Sequence, residues 1–531
     1  MNQPIKESQS ANQKIARAAG TVMLAFIISN LVGVVRGIVI TDAFGTSAEL
    51  DSFNAANRIA ELLFNLVAGG ALGSAFIPSF TGFLTRKDRP GAWRLASGVI
   101  NLVFLALILI SVLAWVFAPQ IVREGLFLLV PESDPVQEAL TISLLRTMLP
   151  SVVIFGISGL VMGILNAHQV FLIPAIAPAL YSLGMILGTL LLPESWGVKR
   201  LAIGVVAGAL MHLVVQVPRL FKLRDRAYHF YLGLRDKAVL QVFRLMGPRL
   251  LGVAVVQLNF IVNTIIALGQ PEGSVSAIVL AFSLMLMPEQ AVAQSAAIAS
   301  LPIFSMQVAQ GKLDEMRSSL ASTLRAVLLL AIPASVGMIL LRTPLVAVLY
   351  QRGEFTAQST ELVAWALLWY ASGLVGHAMV EILSRAFYAL HDTRTPVTVG
   401  VIAMGLNVVF SLLFPGLFEK VGWMPHGGLA LANSLATGLE SIALVLLMRR
   451  RLKGLNGLHV WKGVGVALFG TGLMAAVVVG WQLLFEGGSL FLIFFGALGL
   501  GVAVYGGLMW ILKMPELKGM VGIFLEKIGK G

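Results

Sequence analysis

The sequence predicts an all-α polytopic membrane protein: about 14 transmembrane helices, as two homologous six-helix halves around a central cavity plus two C-terminal helices. Three observations predict it: the composition, the apolar runs, and basic residues gathered in alternate loops. Of 531 residues, 57% are hydrophobic and 12% charged, with mean hydropathy +0.88, whereas a soluble domain carries about 25% charged residues. The absence of cysteine removes disulfides, thiolate chemistry and Cys-based metal sites. A formal charge of +12 would suit nucleic acid, but the basic residues sit in short loops between apolar runs. That pattern is topology, so no nucleic-acid partner is expected. The polar opening MNQPIKESQSANQKIARAAG and the length of the run after it argue against a cleaved signal.

Apolar runs of about 20 residues, the length a bilayer requires, fall near 20–42, 58–83, 93–118, 140–164, 170–192, 199–221, 240–268, 275–304, 318–341, 361–390, 396–418, 427–448, 461–485 and 489–512. Lys6, Lys14 and Arg17 precede the first run. Arg86, Lys87, Arg89 and Arg94 follow the second, and Arg219, Lys222, Arg224, Arg226, Arg235 and Lys237 follow the sixth. Lys312 and Arg317, then Arg394, then Arg449, Arg450, Arg451 and Lys453, and finally Lys513, Lys518, Lys527 and Lys530 continue the series. Intervening loops such as GQPEGS are poor in them, which places both termini in the cytoplasm.

Internal similarity divides the chain. GSAFIPSFTGFLTRKD (73–88) resembles ASLPIFSMQVAQGKLD (299–314), and MGILNAHQVFLIPAIAP (162–178) resembles SRAFYALHDTRTPVTVG (384–400), pairing Pro78 with Pro302 and Pro174 with Pro396. The expected organisation is an N-terminal half over 1–221, a basic cytoplasmic linker over 222–239 and a C-terminal half over 240–450. Two extra helices and a cytoplasmic tail fill 451–531.

The stretch 19–78 places charge inside what otherwise reads as membrane. Arg36 stands within the first run, Arg58 and Glu61 open the second, and Asp42, Glu49 and Asp51 lie in the bend between. An ionisable group in a span is costly unless it faces protein or water, so these residues read as a cavity lining. Arg36 lies about 28 Å along the helix from Arg17, near the far side of a core about 30 Å thick, so snorkelling to the interface is the alternative. Gly33 and Gly37 on either side favour close approach by a helix or a ligand.

Other polar groups are weaker candidates. His377 and Glu381, at i and i+4, lack a third ligand, so no metal site is expected, and they read as an interhelical hydrogen-bonding pair. Glu289, after Pro288, is the best of these for cation coupling, because proline frees backbone carbonyls beside it; Glu440 is similar. His212 reads as a satisfied core histidine. In HDTRTP (391–396), Asp392, Thr393 and Thr395 beside Pro396 predict a helix start. No phosphate loop, nucleophile elbow, zinc-ligand set or dinucleotide fingerprint occurs in a supporting context, and the loops are too short for a catalytic domain. Neither an enzyme nor a cofactor is expected.

GVVRGIVITDAFGTSAELDSFNAANRI (33–59), GGALGSAFIP (69–78), RGEFT (352–356) and RAFYALHDTRTP (385–396), with the six-plus-six-plus-two plan, resemble the MurJ/MviN family. Those are lipid II flippases of the multidrug/oligosaccharidyl-lipid/polysaccharide exporter superfamily. The resemblance implies translocation of a lipid-linked peptidoglycan precursor from the inner to the outer leaflet of the bacterial cytoplasmic membrane, by alternating access. Its alternatives are another polyprenyl-pyrophosphate-linked glycan, or drug and cation antiport. Partners implied are lipid II, membrane lipids and cell-wall synthesis proteins, with the last two helices a groove for the lipid tail. Arg36 falls on a cavity arginine of the family, Asp51 on an acidic position and Arg58 on a basic one, while Asn30, Phe64 and Ser283 stand where relatives carry further arginines. In this reading the guanidinium forks grip pyrophosphate, and Asn30, Asn57 and Asn65 bond sugar or peptide groups. Asp51 and Glu61 either balance the arginines in the empty cavity or form fixed ion pairs.

Overall fold

A computed structural model describes residues 25, 28–67, 70–130, 134–223 and 226–514. The expected basic residues Lys6, Lys14, Arg17, Arg224, Lys518, Lys527 and Lys530 lie outside these, and with them both termini. Helix α1 (28–44) is followed by α2 (Ala48–Val67), α3 (Gly70–Thr85), α4 (Arg89–Val116), α5 (Pro135–Ala167), α6 (Leu172–Leu191), α7 (Lys199–Val214) and α8 (Lys237–Leu268). Then come α9 (Ser274–Glu289), α10 (Ser295–Ala309), α11 (Leu313–Tyr350), α12 (Ala357–Ser372), α13 (Leu374–Ala389), α14 (Arg394–Lys420), α15 (His426–Arg451), α16 (Gly457–Leu484) and α17 (Leu490–Ile511). Among the described residues ten helices are long and apolar enough to cross a membrane, or up to twelve when each of two bent pairs counts as one span. The expected run 20–42 begins outside the described residues. The run 58–83 falls on α2 and α3, either side of residues 68 and 69, which also lie outside.

Helix starts follow local chemistry. Asp88, Asp134 and Asp236 each accept a backbone N–H from the first turn they cap, at 2.9 Å, and Thr356 caps α12 through Ser359 at 3.4 Å. Ser47 does the same for α2, accepting from Leu50 N at 3.3 Å. Glu49 and Asp51 then occupy the first turn, where the helix dipole favours carboxylates. This corrects the expected acidic bend. Asp42 is still within α1, Asp51 is already in α2, and Arg58 and Glu61 stand in the middle of α2 instead of opening it. Charges that read as a loop are the cap chemistry of a helix that starts ten residues earlier.

Packing divides the chain into two units, one of residues 1–272 with Arg352–Glu354, the other of the remainder. This division is separate from the repeat boundaries read in the sequence, because α8 packs on α2 and α3. In the first unit the tightest seam joins α6 to α7. A Cβ on Gly184 would lie 2.2 Å from Gly208 Cα, and one on Gly188 would lie 2.6 Å from Gly204 Cα. Glycines four apart on both helices let the backbones touch, as small-residue pairs do in membranes. The RGEFT loop also joins this unit. Gly353 takes a left-handed φ of 53°, a Cβ there would lie 2.3 Å from Asp42 O, and Glu354 N donates to that oxygen at 2.9 Å.

The second unit has two cores. One gathers Phe304, Leu320, Ile382, Phe387 and Met448 from α10, α11, α13 and α15. The other packs α16 and α17 against α11 through Leu329, Met474, Ala497 and Met509, and Tyr505 Oη donates to Leu329 O at 2.6 Å. Pro78 and Pro302 each stand seven residues before the end of their helix, and Pro174 and Pro396 are each third in theirs.

Candidate functional site

The charged residues of α1 and α2 gather in the first unit. Arg36, half-buried on α1, reaches across to α6, where Nη1 donates to Ser182 Oγ at 3.3 Å. Among the described residues it makes no ion pair. Gly33, one turn earlier, has nothing within 4 Å of where a Cβ would sit, so open space lies beside the helix there. Asn30 is exposed and stands six residues before Arg36. That is about 9 Å along the axis and well off the arginine's face, so the structure does not bring the two together.

On α2 the polar groups form one knot. Glu61 accepts from Asn57 Nδ2 on Oε1 and from Arg58 Nη1 on Oε2, both at 2.9 Å. The Arg58 guanidinium also lies over the Phe260 ring of α8, 4.9 Å from its centroid, a favourable cation–π placement. The side chains keep 22% and 43% of their surface exposed for Arg58 and Glu61. In mid-helix, charges with that much accessible surface would be costly to place against lipid. Asp51 is buried, at 4% exposure, a full ten residues below Glu61 on the same helix, so it takes no part in the knot.

Neutral groups from α5, α6 and α7 complete the site. Tyr181 precedes Ser182, the residue that accepts from Arg36. Phe155 of α5 packs edge-on against Tyr181, with centroids 4.9 Å apart, and against Phe64 of α2 at 5.7 Å. Behind it, Ser158 Oγ lies 2.7 Å from His212 Nδ1 and Gln216 Nε2 donates to Ser158 Oγ at 2.8 Å, so His212 is a partnered core histidine. Sequence reasoning missed Ser182, Tyr181, Phe155 and Phe260. They are neutral and lie on helices far along the chain, and the only signal near them is the glycine spacing of α6 that seats Tyr181 and Ser182.

In the second unit the candidates separate. His377 Nε2 lies 3.1 Å from Asn433 Oδ1 on α15, whereas Glu381 pairs with Arg385 of its own helix at 3.2 Å. His377 thus makes the interhelical hydrogen bond expected of it, whereas Glu381 is held within its own helix. Glu289 is buried at 7% exposure, at the end of α9 where a π-helical turn, Gln290–Gln294, begins. Ser283 turns its hydroxyl back to Val279 O at 2.8 Å.

The family profile described as lipid II flippase MurJ matches residues 40–498. The chain belongs to the MurJ family. A lipid II flippase MurJ of Burkholderia cenocepacia is 31% identical over 478 residues, covering 88% of this chain and 89% of the relative. A probable lipid II flippase MurJ of Vibrio cholerae is 30% identical over 529 residues, covering 96% and 98%. A solved lipid II flippase MurJ in an inward closed conformation superposes with a TM-score of 0.77 at 23% identity, covering 92% of this chain and 98% of that one. An inward-facing MATE family transporter of the MOP superfamily follows at 0.67 and 16% identity, covering 83% and 99%. The MurJ fold, and with it a multi-pass membrane protein whose regular secondary structure among the described residues is all helical, is what the sequence predicted, as is the family; of the expected 14 spans, ten to twelve are found among the described residues.

Proposed function

We propose that this MurJ family member is a flippase carrying lipid II, or the lipid-linked peptidoglycan precursor of its organism, from the inner to the outer leaflet of the cytoplasmic membrane by alternating access. The observation that carries the reading is the state of Arg36. It lies on α1, within the first apolar run, bonds a neutral hydroxyl, and makes no ion pair among the described residues. A charge so placed is left uncompensated until an anion arrives, and a pyrophosphate presents oxygens to its fork. Arg58 supplies a second guanidinium whose N–H groups are only partly taken up by Glu61, and Asn57 and Glu61 offer partners for sugar hydroxyls or amides. In this reading Asp51 acts structurally near the start of α2, Asn30 stands apart, and Glu289, His377 and Glu381 are outside the head-group site. Sequence repeats over 1–221 and 240–450, with the matched proline positions, support two homologous halves, and the basic loops support cytoplasmic termini.

Purified protein in liposomes, supplied with labelled lipid II in one leaflet, tests the function. Translocation above that of protein-free vesicles is expected, with binding by native mass spectrometry stronger for lipid II than for other undecaprenyl-linked glycans. Drug or cation exchange with no movement of lipid II would overturn the reading in favour of an antiporter.

A further inference from the structure

Phe64, Phe155 and Tyr181 form a continuous run of rings beside Arg36. The spacings are 5.7 Å from Phe64 to Phe155 and 4.9 Å from Phe155 to Tyr181, and all three rings are half-buried. Ser182, the next residue after Tyr181, holds the guanidinium of Arg36. Glu61, one helical turn before Phe64 on α2, accepts the Asn57 amide at 2.9 Å. The ring planes meet at 52° and 76°, so the shelf is an angled apolar wall, with a cation, a carboxylate and an amide on the neighbouring residues of α1 and α2.

Three occupants compete for such a surface. If it were core, its rings would be closed off, as those of Phe76 and Phe80 are at 0% exposure. A polyprenyl tail would match an apolar groove but would gain nothing from the Arg, Glu and Asn at its border, which it would have to desolvate. A pyranose ring has a C–H face for aromatic rings and a rim of hydroxyls for polar groups, the mixture of apolar wall and few polar contacts typical of ligand sites. We infer that Phe64, Phe155 and Tyr181 are a sugar-stacking subsite, which seats the sugar next to the pyrophosphate while Arg36 holds the phosphate. The inference rests on the functional reading above and names the part of the substrate these rings recognise.

The test compares two ligands on one protein by native mass spectrometry in detergent: lipid II, and undecaprenyl pyrophosphate, which has the same tail and phosphates but no sugar. Phe64→Leu keeps apolar volume and removes the ring face, and Phe64→Tyr keeps the ring. Phe64→Leu is expected to weaken lipid II binding about two- to tenfold, the scale of one aromatic contact, with undecaprenyl pyrophosphate unchanged and Phe64→Tyr close to wild type. Equal losses for both ligands would assign the shelf to the tail or to the fold, and no loss for either would remove Phe64 from the site; each overturns the subsite. Should Phe64→Leu fail to fold, Tyr181→Leu is read in the same way. If wild-type protein binds both ligands equally, the subsite fails while the flippase reading stands; if it binds neither, the functional reading itself fails.

Discussion

Replacing Arg36 separates a phosphate grip from a charge that only seeks the interface. The contact to Ser182, at 3.3 Å, is near the long end for a hydrogen bond, so it contributes little to folding, and Arg36→Lys should leave the melting temperature close to wild type. The effect should fall on the ligand. One charge-assisted contact contributes about 1.5–3 kcal/mol, or about ten- to a hundredfold in affinity. The upper part of that range is expected, because Asn30 points elsewhere and Phe64 and Ser283 bring no charge to share the load. Lysine keeps the charge but cannot reproduce two parallel N–H bonds to phosphate, so Arg36→Lys should lose nearly as much as Arg36→Ala. Head-group binding and lipid II translocation, measured on amounts matched for reconstitution, check this. Full activity in Arg36→Lys would show that a point charge at the interface is enough, and would leave Arg58 as the remaining candidate for the phosphate.

The α6–α7 seam predicts that Gly184→Ala lowers stability by about 1–3 kcal/mol through overpacking, since the new methyl would lie 2.2 Å from Gly208 Cα; thermal unfolding of the purified variant reads it. Topology is checked with Phe230→Cys in this cysteine-free chain: the position is 85% exposed, so an impermeant thiol reagent should label it in inverted vesicles and not in intact cells. At the start of α14, the Thr395 N–H and hydroxyl both donate to Asp392, at 3.0 and 2.8 Å, and hold its carboxyl below the usual carboxylate range. A depressed value stabilises the fold above the unfolded carboxylate pKa of about 3.9 and is lost as pH falls through the folded value. Asp392→Ala should therefore cost about 0.5–2 kcal/mol at neutral pH, with the gap to wild type closing in strong acid.

What the sequence shows most clearly is what a bilayer demands of every residue in a run. Uninterrupted apolarity over α4, α14 or α16 can have no other use, so those helices are legible at once. The bend before α2 was misread for a local reason: Ser47, Glu49 and Asp51 are polar because they cap and charge a helix start, and the same residue types also make loops. Arg36, Arg58 and Glu61 were legible because charge is rare in membrane. Their partners were not, since Ser182 lies 146 residues from Arg36, and neutral serines and aromatic residues are common in any membrane helix. For His377 and Glu381, sequence spacing shows that they share a helix face, but not that His377 bonds Asn433 of a different helix while Glu381 pairs with Arg385 of its own.

The two arginines of the first unit differ in a way that bears on the transport cycle. Arg58 rests already compensated, its charge held by Glu61 and its face covered by Phe260, so a phosphate gains from it only by drawing it away from both. Among the described residues Arg36 has no such competitor, so on the proposed reading it would bind at no cost in broken ion pairs. An incoming head group should therefore, on the same reading, meet Arg36 first, and Arg58 can join only when its guanidinium leaves Glu61 and the Phe260 ring. On that reading, phosphate binding by Arg58 and loss of its contacts to α2 and α8 are linked, which is the kind of coupling alternating access requires.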